Sequence, residues 1–273
     1  MVLPTALVIG PMKAGSTWVH DYLSERLDVC VPTGVKETFY FDRHFDRVQQ
    51  EWYSSHFRVR DEVGIRAVVE VAPSYFHHPA APGRVRSVLG AVRLLAVLRQ
   101  PVERAWSHYL HLRRKGYTTL PLDRAVSAFP EIIEASRYQV MLDRWSPREP
   151  DGCLTVLKFD RLKESPTEFV RAVCGALAIP YVAPSTINTV SNAGGVAPSA
   201  TLARAARWAA NAARSRRLYF AVNLAKKLGL GPVIFGRSGR VLPPMSDADR
   251  AMLTAALQSD VDEYAADRFF DVR

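Results

Sequence analysis

The chain has 273 residues, of which 48% are hydrophobic and 23% charged, so it is long enough to bury one full α/β core. An excess of Lys and Arg over Asp and Glu gives it a net charge of +9. No uncharged apolar run approaches the roughly 18 residues of a membrane-spanning helix, and the N-terminus lacks the charged region and cleavage site of a signal peptide. We therefore expect no membrane span and one domain over residues 1–273.

The three cysteines indicate the compartment in which the protein is expected. Cys30, Cys153 and Cys174 have neither the spacing of metal ligands nor the pairing of a disulfide framework. Unpaired thiols are typical of a reducing compartment, so we expect a cytoplasmic protein.

The first predicted element is a buried strand within the apolar run Leu3 to Ile9, which leads directly into Gly10-Pro-Met-Lys-Ala-Gly-Ser-Thr-Trp18. A strand, a tight turn and a helix in this order direct several backbone N–H groups at one point, and phosphate is the usual occupant. A nucleotide triphosphatase P-loop has its lysine directly after the second glycine. Here the two glycines have the P-loop spacing, but Ser16 follows the second one and Lys13 lies inside the loop. The motif therefore predicts a phosphate site whose lysine is placed differently from that of an ATP site.

The next elements alternate between helix and strand. We predict a helix from Ser16 to about Leu27, a short strand at Val29 to Val31, irregular structure and short helix from Phe39 to Phe57, a strand from Ala67 to Val71, and a helix from Pro79 to Leu89.

Leu94 to Leu98 is a further predicted strand, and it ends in a second candidate anion site. Arg99 follows the strand and can bind an anion through two hydrogen bonds, and Pro101 suits the first turn of the next helix. Ser107 lies about two turns into that helix. A nucleotide triphosphatase would carry an aspartate near such a strand end to hold magnesium. Two anion sites without that aspartate predict a nucleotide with phosphates at both ends and no magnesium at the reaction centre.

The remaining elements complete the predicted fold. They are a helix broken around Pro130 between Leu122 and Trp145, a strand from Leu154 to Phe159, a helix running to Leu177, and a helix starting after Ser246. This alternation predicts an α/β fold: a single P-loop-like domain with a central parallel sheet flanked by helices and a helical C-terminal third. Ligands of such sheets bind beyond the carboxyl ends of the strands, where both anion motifs fall.

Basic residues are concentrated late in the chain. Between Glu168 and Asp247 there are ten basic residues and no acidic one, so this segment accounts for the whole net charge. Three interpretations of its central part, residues 201–230, stay open: a solvated face, a positive field that steers an anionic substrate, or an amphipathic helix in peripheral contact with a membrane or a carrier partner. No nucleic-acid-binding module is recognised.

With these motifs the chain resembles the sulfotransferases that use 3′-phosphoadenosine 5′-phosphosulfate (PAPS), and it is more similar to the heparan-sulfate and bacterial type than to the cytosolic steroid and phenol type. Pro11 to Trp18 matches the family's loop for the 5′-phosphosulfate, and Leu98 to Ser107 matches its 3′-phosphate motif. Weaker matches follow in the expected order at Lys36–Asp42, Glu70–Phe76 and Gly236–Arg240. The resemblance implies transfer of a sulfuryl group from PAPS to a hydroxyl or amine, without a metal ion. P-loop kinases and non-catalytic nucleotide-binding modules are the alternative class.

The resemblance also implies roles for individual residues. The donor would be bound by Lys13, Ala14, Gly15, Ser16, Thr17, Trp18, Arg99, Ser107, Gly239 and Arg240. Lys13 would also stabilise the leaving phosphate, and Glu37 would be the general base, with a pKa raised by neighbouring aromatic side chains. The alternative for Glu37 is a surface carboxylate paired with Lys36. His111 and then His108 compete for the role of base.

Two departures from the family pattern bear on the substrates. Val71 stands where relatives often have a lysine facing the active site, which favours an acceptor less anionic than heparan-type chains. Ser238 replaces the lysine of the late Lys-Gly-Arg loop. Small molecules, glycolipids, saccharides and carrier-bound chains all remain open as hydroxyl-bearing acceptors.

Overall fold

The computed structural model of the protein describes residues 1–59, 64–146, 154–185 and 244–270. The strands are β1 (Ala6–Val8), β2 (Val29–Cys30), β3 (Ala67–Val71), β4 (Arg93–Leu98) and β5 (Leu154–Lys158). The helices are α1 (Ser16–Ser24), α2 (Gln50–Ser54), α3 (Ala81–Leu89), α4 (Pro101–Arg114), α5 (Leu122–Ala128), α6 (Glu131–Glu134), α7 (Tyr138–Trp145), α8 (Arg161–Glu164), α9 (Pro166–Ala176) and α10 (Asp247–Ala265), with a π-helical turn at Tyr40–His44.

In the described residues the strands form one five-stranded sheet in the order β2-β3-β1-β4-β5. Each pair of neighbours is parallel, which confirms the predicted fold class. From β1 the chain continues to β2 and β3 on one side, whereas β4 and β5 lie on the other. The carboxyl ends of β1 and β4 therefore flank the point where the strand order reverses, which is where α/β sheets bind their ligands.

Alternate residues of the strands pack into two separate cores, one on each face of the sheet. Leu7 and Ile9 of the first strand segment belong to a core that includes side chains of α3 and α7. Ala6 and Val8 belong to a core with side chains of α1 and α9. Because both faces are covered, the strands need continuous apolar runs, which is the pattern that the sequence analysis relied on.

Several predicted boundaries differ from the structure by a few residues. The helix predicted to reach Leu27 ends at Ser24, because the chain turns there and Arg26 bonds to Asp28 through Nε–Oδ1 at 2.8 Å and Nη2–Oδ2 at 2.7 Å. The helix predicted from Pro79 begins at Ala81.

Parts of the predicted C-terminal third lie outside the described residues. These include the basic segment 201–230, the loop Gly236–Arg240 with Gly239 and Arg240, and also Cys153. The part that is described, α10, is helical and begins as predicted after Ser246, whose side chain accepts a hydrogen bond from the Asp249 N–H. Cys30 and Cys174 are buried free thiols. In the described parts of the chain, no helix has both the length and the apolar character needed to cross a membrane.

Candidate active site

The loop after β1 is held against the sheet by its two glycines. A Cβ on Gly10 would lie 2.4 Å from the backbone nitrogen of Val97 in β4, so no side chain fits there. Gly15 has φ of 90°, and a Cβ on it would lie 2.5 Å from the Phe159 ring. The P-loop spacing of these glycines is thus explained by two close approaches, Gly10 to β4 and Gly15, at the N-terminus of α1, to the residue that follows β5.

Lys13 occupies a strained position between these glycines. Its φ of 75° is in the left-handed region, which is costly for a residue with a Cβ and is concentrated at functional sites. The pKa of Lys13 is lowered to about 8, first by burial and then by the positive charges of Arg114, Lys36, Arg99 and Lys115. Like charges gathered in this way around a loop of backbone N–H groups are the arrangement that favours an anion.

Lys36 belongs to this site, although the sequence analysis did not include it among the binding residues. Its Nζ donates to Ser16 Oγ and to Thr17 Oγ1, both at 3.2 Å, at the first turn of α1. Burial lowers the pKa of Lys36. The ammonium group is thus engaged by the loop hydroxyls, which argues against the alternative of a surface Lys36–Glu37 pair. Its position next to Glu37 in the Lys-Glu motif was the signal that could have identified it.

Arg99 follows β4 as predicted, at the edge where the loop after β1 also lies. Its backbone oxygen accepts a 2.6 Å hydrogen bond from the hydroxyl of Tyr138, which anchors the strand end. Its guanidinium lies 6.0 Å from the Phe159 ring centroid and 3.7 Å from Glu103 Oε2. The next helix starts at Pro101, capped by the Gln100 side chain, and Ser107 is partly buried two turns later.

The two candidate histidines have different environments. His108 is buried, with Nδ1 3.3 Å from Nη1 of the fully buried Arg104, and its pKa is lowered to about 2, first by burial and then by Arg104. Arg104 itself donates to Ser136 Oγ at 2.6 Å, so the pair is part of the protein interior. His111 lies near the loop instead: burial and the charges of Lys13, Lys115 and Arg114 lower its pKa to about 4.

Glu37 is partly buried and held by the loop after β3. Its Oε1 accepts a 2.9 Å hydrogen bond from the backbone N–H of Ser74. Burial raises the pKa of Glu37 to about 7; the Ser74 contacts oppose this rise, and the charges of Glu70 and Asp42 add to it. Of the aromatic residues predicted to wall it, Phe41 is fully buried, whereas Phe39 stacks against Arg43 at 4.1 Å.

The carboxylate of Glu70 fixes the backbone beside Glu37. Its Oε1 accepts hydrogen bonds from the Thr38 N–H at 2.8 Å and the Thr38 hydroxyl at 2.6 Å. The hydroxyl of Tyr53 donates to Oε2 at 2.8 Å, and that of Tyr75 lies 3.2 Å from both oxygens. A buried carboxylate with this many donors is rigidly held. The sequence analysis quoted Glu70 only as a family match; its polar side chain in an otherwise apolar strand was the available signal.

Val71, which replaces the family's lysine, does not face the site in this protein. It is fully buried in the core that includes α1 and α9. A charged side chain at this position would need a different local packing. Within the described ranges there is also no group of three or more His, Cys, Asp and Glu that could hold a metal ion.

Comparison with known proteins identifies the family of the chain. The chain matches the sulfotransferase domain family over residues 3–192. It is 26% identical over 195 residues to the human bifunctional heparan sulfate N-deacetylase/N-sulfotransferase 2, a match that covers 65% of this chain and 22% of that protein. It is 32% identical over 110 residues to the membrane-associated sulfotransferase kil1 of Dictyostelium discoideum, covering 40% of this chain and 23% of that protein. The chain thus spans about a fifth of the length of these relatives.

A solved structure shares the fold. A sulfotransferase from Alicyclobacillus acidocaldarius superposes with a TM-score of 0.58 at 23% identity, covering 81% of this chain and 97% of that one. Because the family match extends over most of the chain and includes both anion motifs, the protein belongs to the sulfotransferase domain family.

Proposed function

We propose that the protein transfers a sulfuryl group from PAPS to a hydroxyl or amine of an acceptor by in-line displacement. The observation that carries this proposal is the set of cations around Lys13, which lies where the strand order of the sheet reverses. Arg99 and Ser107 would hold the 3′-phosphate, and the loop from Lys13 to Trp18 would hold the 5′-phosphosulfate. Gly239 and Arg240, proposed to complete the donor site, lie outside the described residues.

In the transfer step the acceptor oxygen or nitrogen forms a bond to sulfur while the bond from sulfur to the 5′-phosphate oxygen breaks. Such transfers have loose transition states, so positioning and electrostatics carry most of the catalysis. Lys13 would stabilise the charge that grows on the leaving phosphate oxygen. A contact of this kind is typically worth about 3 kcal/mol of barrier.

Glu37 would take the proton of the acceptor. A general base works best when its pKa is close to the working pH, and the pKa of Glu37 is raised to about 7. His111 is a weaker candidate, because the charges of Lys13, Lys115 and Arg114 oppose its protonation and help lower its pKa to about 4. The contact between His108 and Arg104 makes His108 weaker still.

The acceptor could be a small molecule, a glycolipid, a saccharide or a carrier-bound chain; the relatives include a heparan sulfate N-deacetylase/N-sulfotransferase. Two experiments test the donor assignment before the acceptor is known. Thermal unfolding with 3′-phosphoadenosine 5′-phosphate (PAP) in EDTA should raise Tm, since a ligand at 100 times its Kd stabilises by about 2.7 kcal/mol. A shift seen only with ATP and magnesium would contradict the proposal. Label transfer from ³⁵S-PAPS to a panel of hydroxyl and amine compounds then tests the reaction itself.

A further inference from the structure

One face of α4 connects the proposed 3′-phosphate site with the region beyond Lys13. Ser107, His111 and Arg114 are spaced i, i+4 and i+7, so they lie on the same side of the helix. With a rise of about 1.5 Å per residue, Arg114 lies about 10 Å further along the helix axis than Ser107. Arg114 is therefore far from the Arg99 end of the helix, and yet its charge acts strongly on Lys13.

The side chain of Arg114 has an unfilled hydrogen-bonding requirement. Its Nε–H is buried, and the residues that the structure describes provide neither a hydrogen-bond partner for it nor a carboxylate within 4.0 Å of the guanidinium. The preceding residue behaves differently: Arg113 donates to the Tyr109 hydroxyl at 3.3 Å and lies 5.7 Å from the centroid of that ring. A buried donor without a partner costs free energy, so a bound oxyanion that accepts from Nε would relieve a cost already present.

The donor does not need Arg114 for its own charges. In the proposed function Arg99 binds the 3′-phosphate, and Lys13 and Lys36 are placed for the 5′-phosphosulfate at the first turn of α1. Arg114 is then a further cation, at the opposite end of α4 from Arg99. An acceptor that attacks in line approaches the sulfuryl group from the side away from the leaving phosphate, so a cation beyond the phosphate-binding residues is free to serve the acceptor.

We propose that Arg114 binds an anionic group, a carboxylate or a sulfo group, that the acceptor carries close to its accepting hydroxyl or amine. This inference rests on the proposed function and deepens it. The guanidinium presents Nε–H and Nη–H as a fork that suits two oxygens of such a group. Tyr117 and Leu120, which are 49% and 37% exposed, follow in the next turn and offer apolar surface to the rest of the acceptor. Arg114 would thus supply the acceptor-side charge that Val71 does not.

The test compares matched probes on the protein saturated with PAP. Calorimetry measures the Kd of 4-hydroxyphenylacetate against its neutral amide, and of 4-hydroxybenzenesulfonate against 4-hydroxybenzenesulfonamide, so that the two arms distinguish carboxylate from sulfo groups. We expect the wild-type protein to bind the anion of at least one pair more tightly than its neutral partner. Arg114→Gln should weaken binding of that anion about 10- to 100-fold, as for a lost hydrogen bond to a charged group, and leave the neutral probe unchanged.

Arg113→Gln is the matched control, since it removes the neighbouring charge from outside the site and should keep the preference. Arg114→Lys keeps the positive charge but not the paired N–H groups of the guanidinium, so it should keep only part of the preference for the anionic probe. Tm confirms that each variant is folded. The inference is wrong if the wild-type protein binds neither anion more tightly than its neutral partner, or if Arg114→Gln retains that preference. It is also wrong if Arg114→Gln weakens PAP as much as the probe, because Arg114 would then serve the donor. Failure of PAP to bind wild type would instead refute the proposed function.

Discussion

The candidate site contains a cluster of basic side chains and a pair of acidic ones, and burial shifts the pKa of one member of each in opposite directions. The basic cluster consists of Lys13, Lys36, Arg99 and Arg114, and the acidic pair consists of Glu37 and Glu70. For Lys13 and for Glu37, burial is the largest cause of the pKa shift and neighbouring like charges add to it, so the pKa of Lys13 is lowered to about 8 and that of Glu37 is raised to about 7. Two groups whose ordinary pKa values lie far apart are thus brought close to neutral pH.

The two groups differ in how well the protein itself satisfies them. The oxygens of Glu70 accept from the side chains or backbone of Thr38, Tyr53 and Tyr75. In the basic cluster the Nε–H of Arg114 lacks a partner in the described structure. The guanidinium of Arg99 lies 3.7 Å from the carboxylate of Glu103. The acidic pair is therefore organised in advance by the fold, whereas we expect an anionic ligand to complete the basic cluster. We therefore expect a bound anionic ligand to stabilise the basic cluster more than it stabilises the acidic pair.

The largest effect is expected from Lys13→Met. It should reduce turnover about 100-fold or more through loss of charge stabilisation in the transition state, and it should also weaken PAPS binding. Without nucleotide the same variant should be more stable than wild type at pH 7. The folded pKa of about 8 lies below the unfolded value, so charged Lys13 destabilises the fold at neutral pH and wild type gains stability as pH rises above 8.

Steady-state kinetics with ³⁵S-PAPS and thermal unfolding from pH 6 to 10 measure both consequences of the Lys13 change. Lys163→Met, which removes an exposed lysine in α8, should alter neither. A Lys13→Met protein with a lower Tm and full turnover would contradict the account of the basic cluster.

Glu37→Gln should reduce turnover and leave the affinity for the nucleotide almost unchanged. Loss of a general base costs typically about 100-fold or more in turnover, and the affinity for PAP should stay within a few-fold of wild type because Glu37 lies outside both phosphate turns. Its folded pKa of about 7 is above the unfolded value. The stability that protonated Glu37 contributes is therefore present in acid and is lost as pH rises through about 7, and Glu37→Gln should remove this dependence.

Turnover, PAP calorimetry and the pH dependence of Tm are the measurements for Glu37, with exposed Glu134→Gln as the control. Near-normal turnover in Glu37→Gln would remove this residue from the mechanism, and His111→Ala would be the next variant to measure.

Arg99→Ala should act on binding of the 3′-phosphate alone. Loss of a charged hydrogen-bond partner should weaken PAP about 10- to 100-fold, while adenosine 5′-phosphosulfate, which lacks that phosphate, should bind almost as before. Calorimetry with both nucleotides, and with Arg86→Ala in α3 as a surface control, measures the difference. Equal losses for the two nucleotides would show that Arg99 does not bind the 3′-phosphate.

The smallest effect is expected from Glu70→Gln, because Glu70 acts on Glu37 through its charge and through the Thr38 backbone. Removing the charge should lower the pKa of Glu37, so the acid limb of the kcat/KM profile should move to lower pH with only a few-fold change in the plateau. Tyr53→Phe perturbs the same hydrogen bonds and keeps the charge, so it should lower Tm by the equivalent of about 1 kcal/mol without moving the limb. If the acid limb of the kcat/KM profile does not move in Glu70→Gln, the role of Glu70 is purely structural.

Local sequence features predicted the elements that carry the site. The apolar runs that became β1, β3, β4 and β5 were recognisable because both faces of the sheet are covered, and the glycines of the first loop were recognisable by their spacing. The environments of single side chains could not be predicted from local sequence features. Nothing local distinguishes His108, which contacts Arg104 in the interior, from His111, which lies near Lys13. The contacts of Lys36 with Ser16 and Thr17, and the effect of the Arg114 charge on Lys13, join residues that are distant in sequence.

The sequence by itself determined the parallel α/β fold, the two anion motifs at strand ends and the family resemblance, because hydrophobic periodicity and short motifs act over a few neighbouring residues. Only the tertiary structure decided which charges meet. Burial and Coulomb interactions depend on distances in space, and residues as far apart in sequence as Lys13 and Arg114, or Glu37 and Ser74, are brought together only when the strand ends converge at one edge of the sheet. That convergence sets the pKa values on which the proposed chemistry depends.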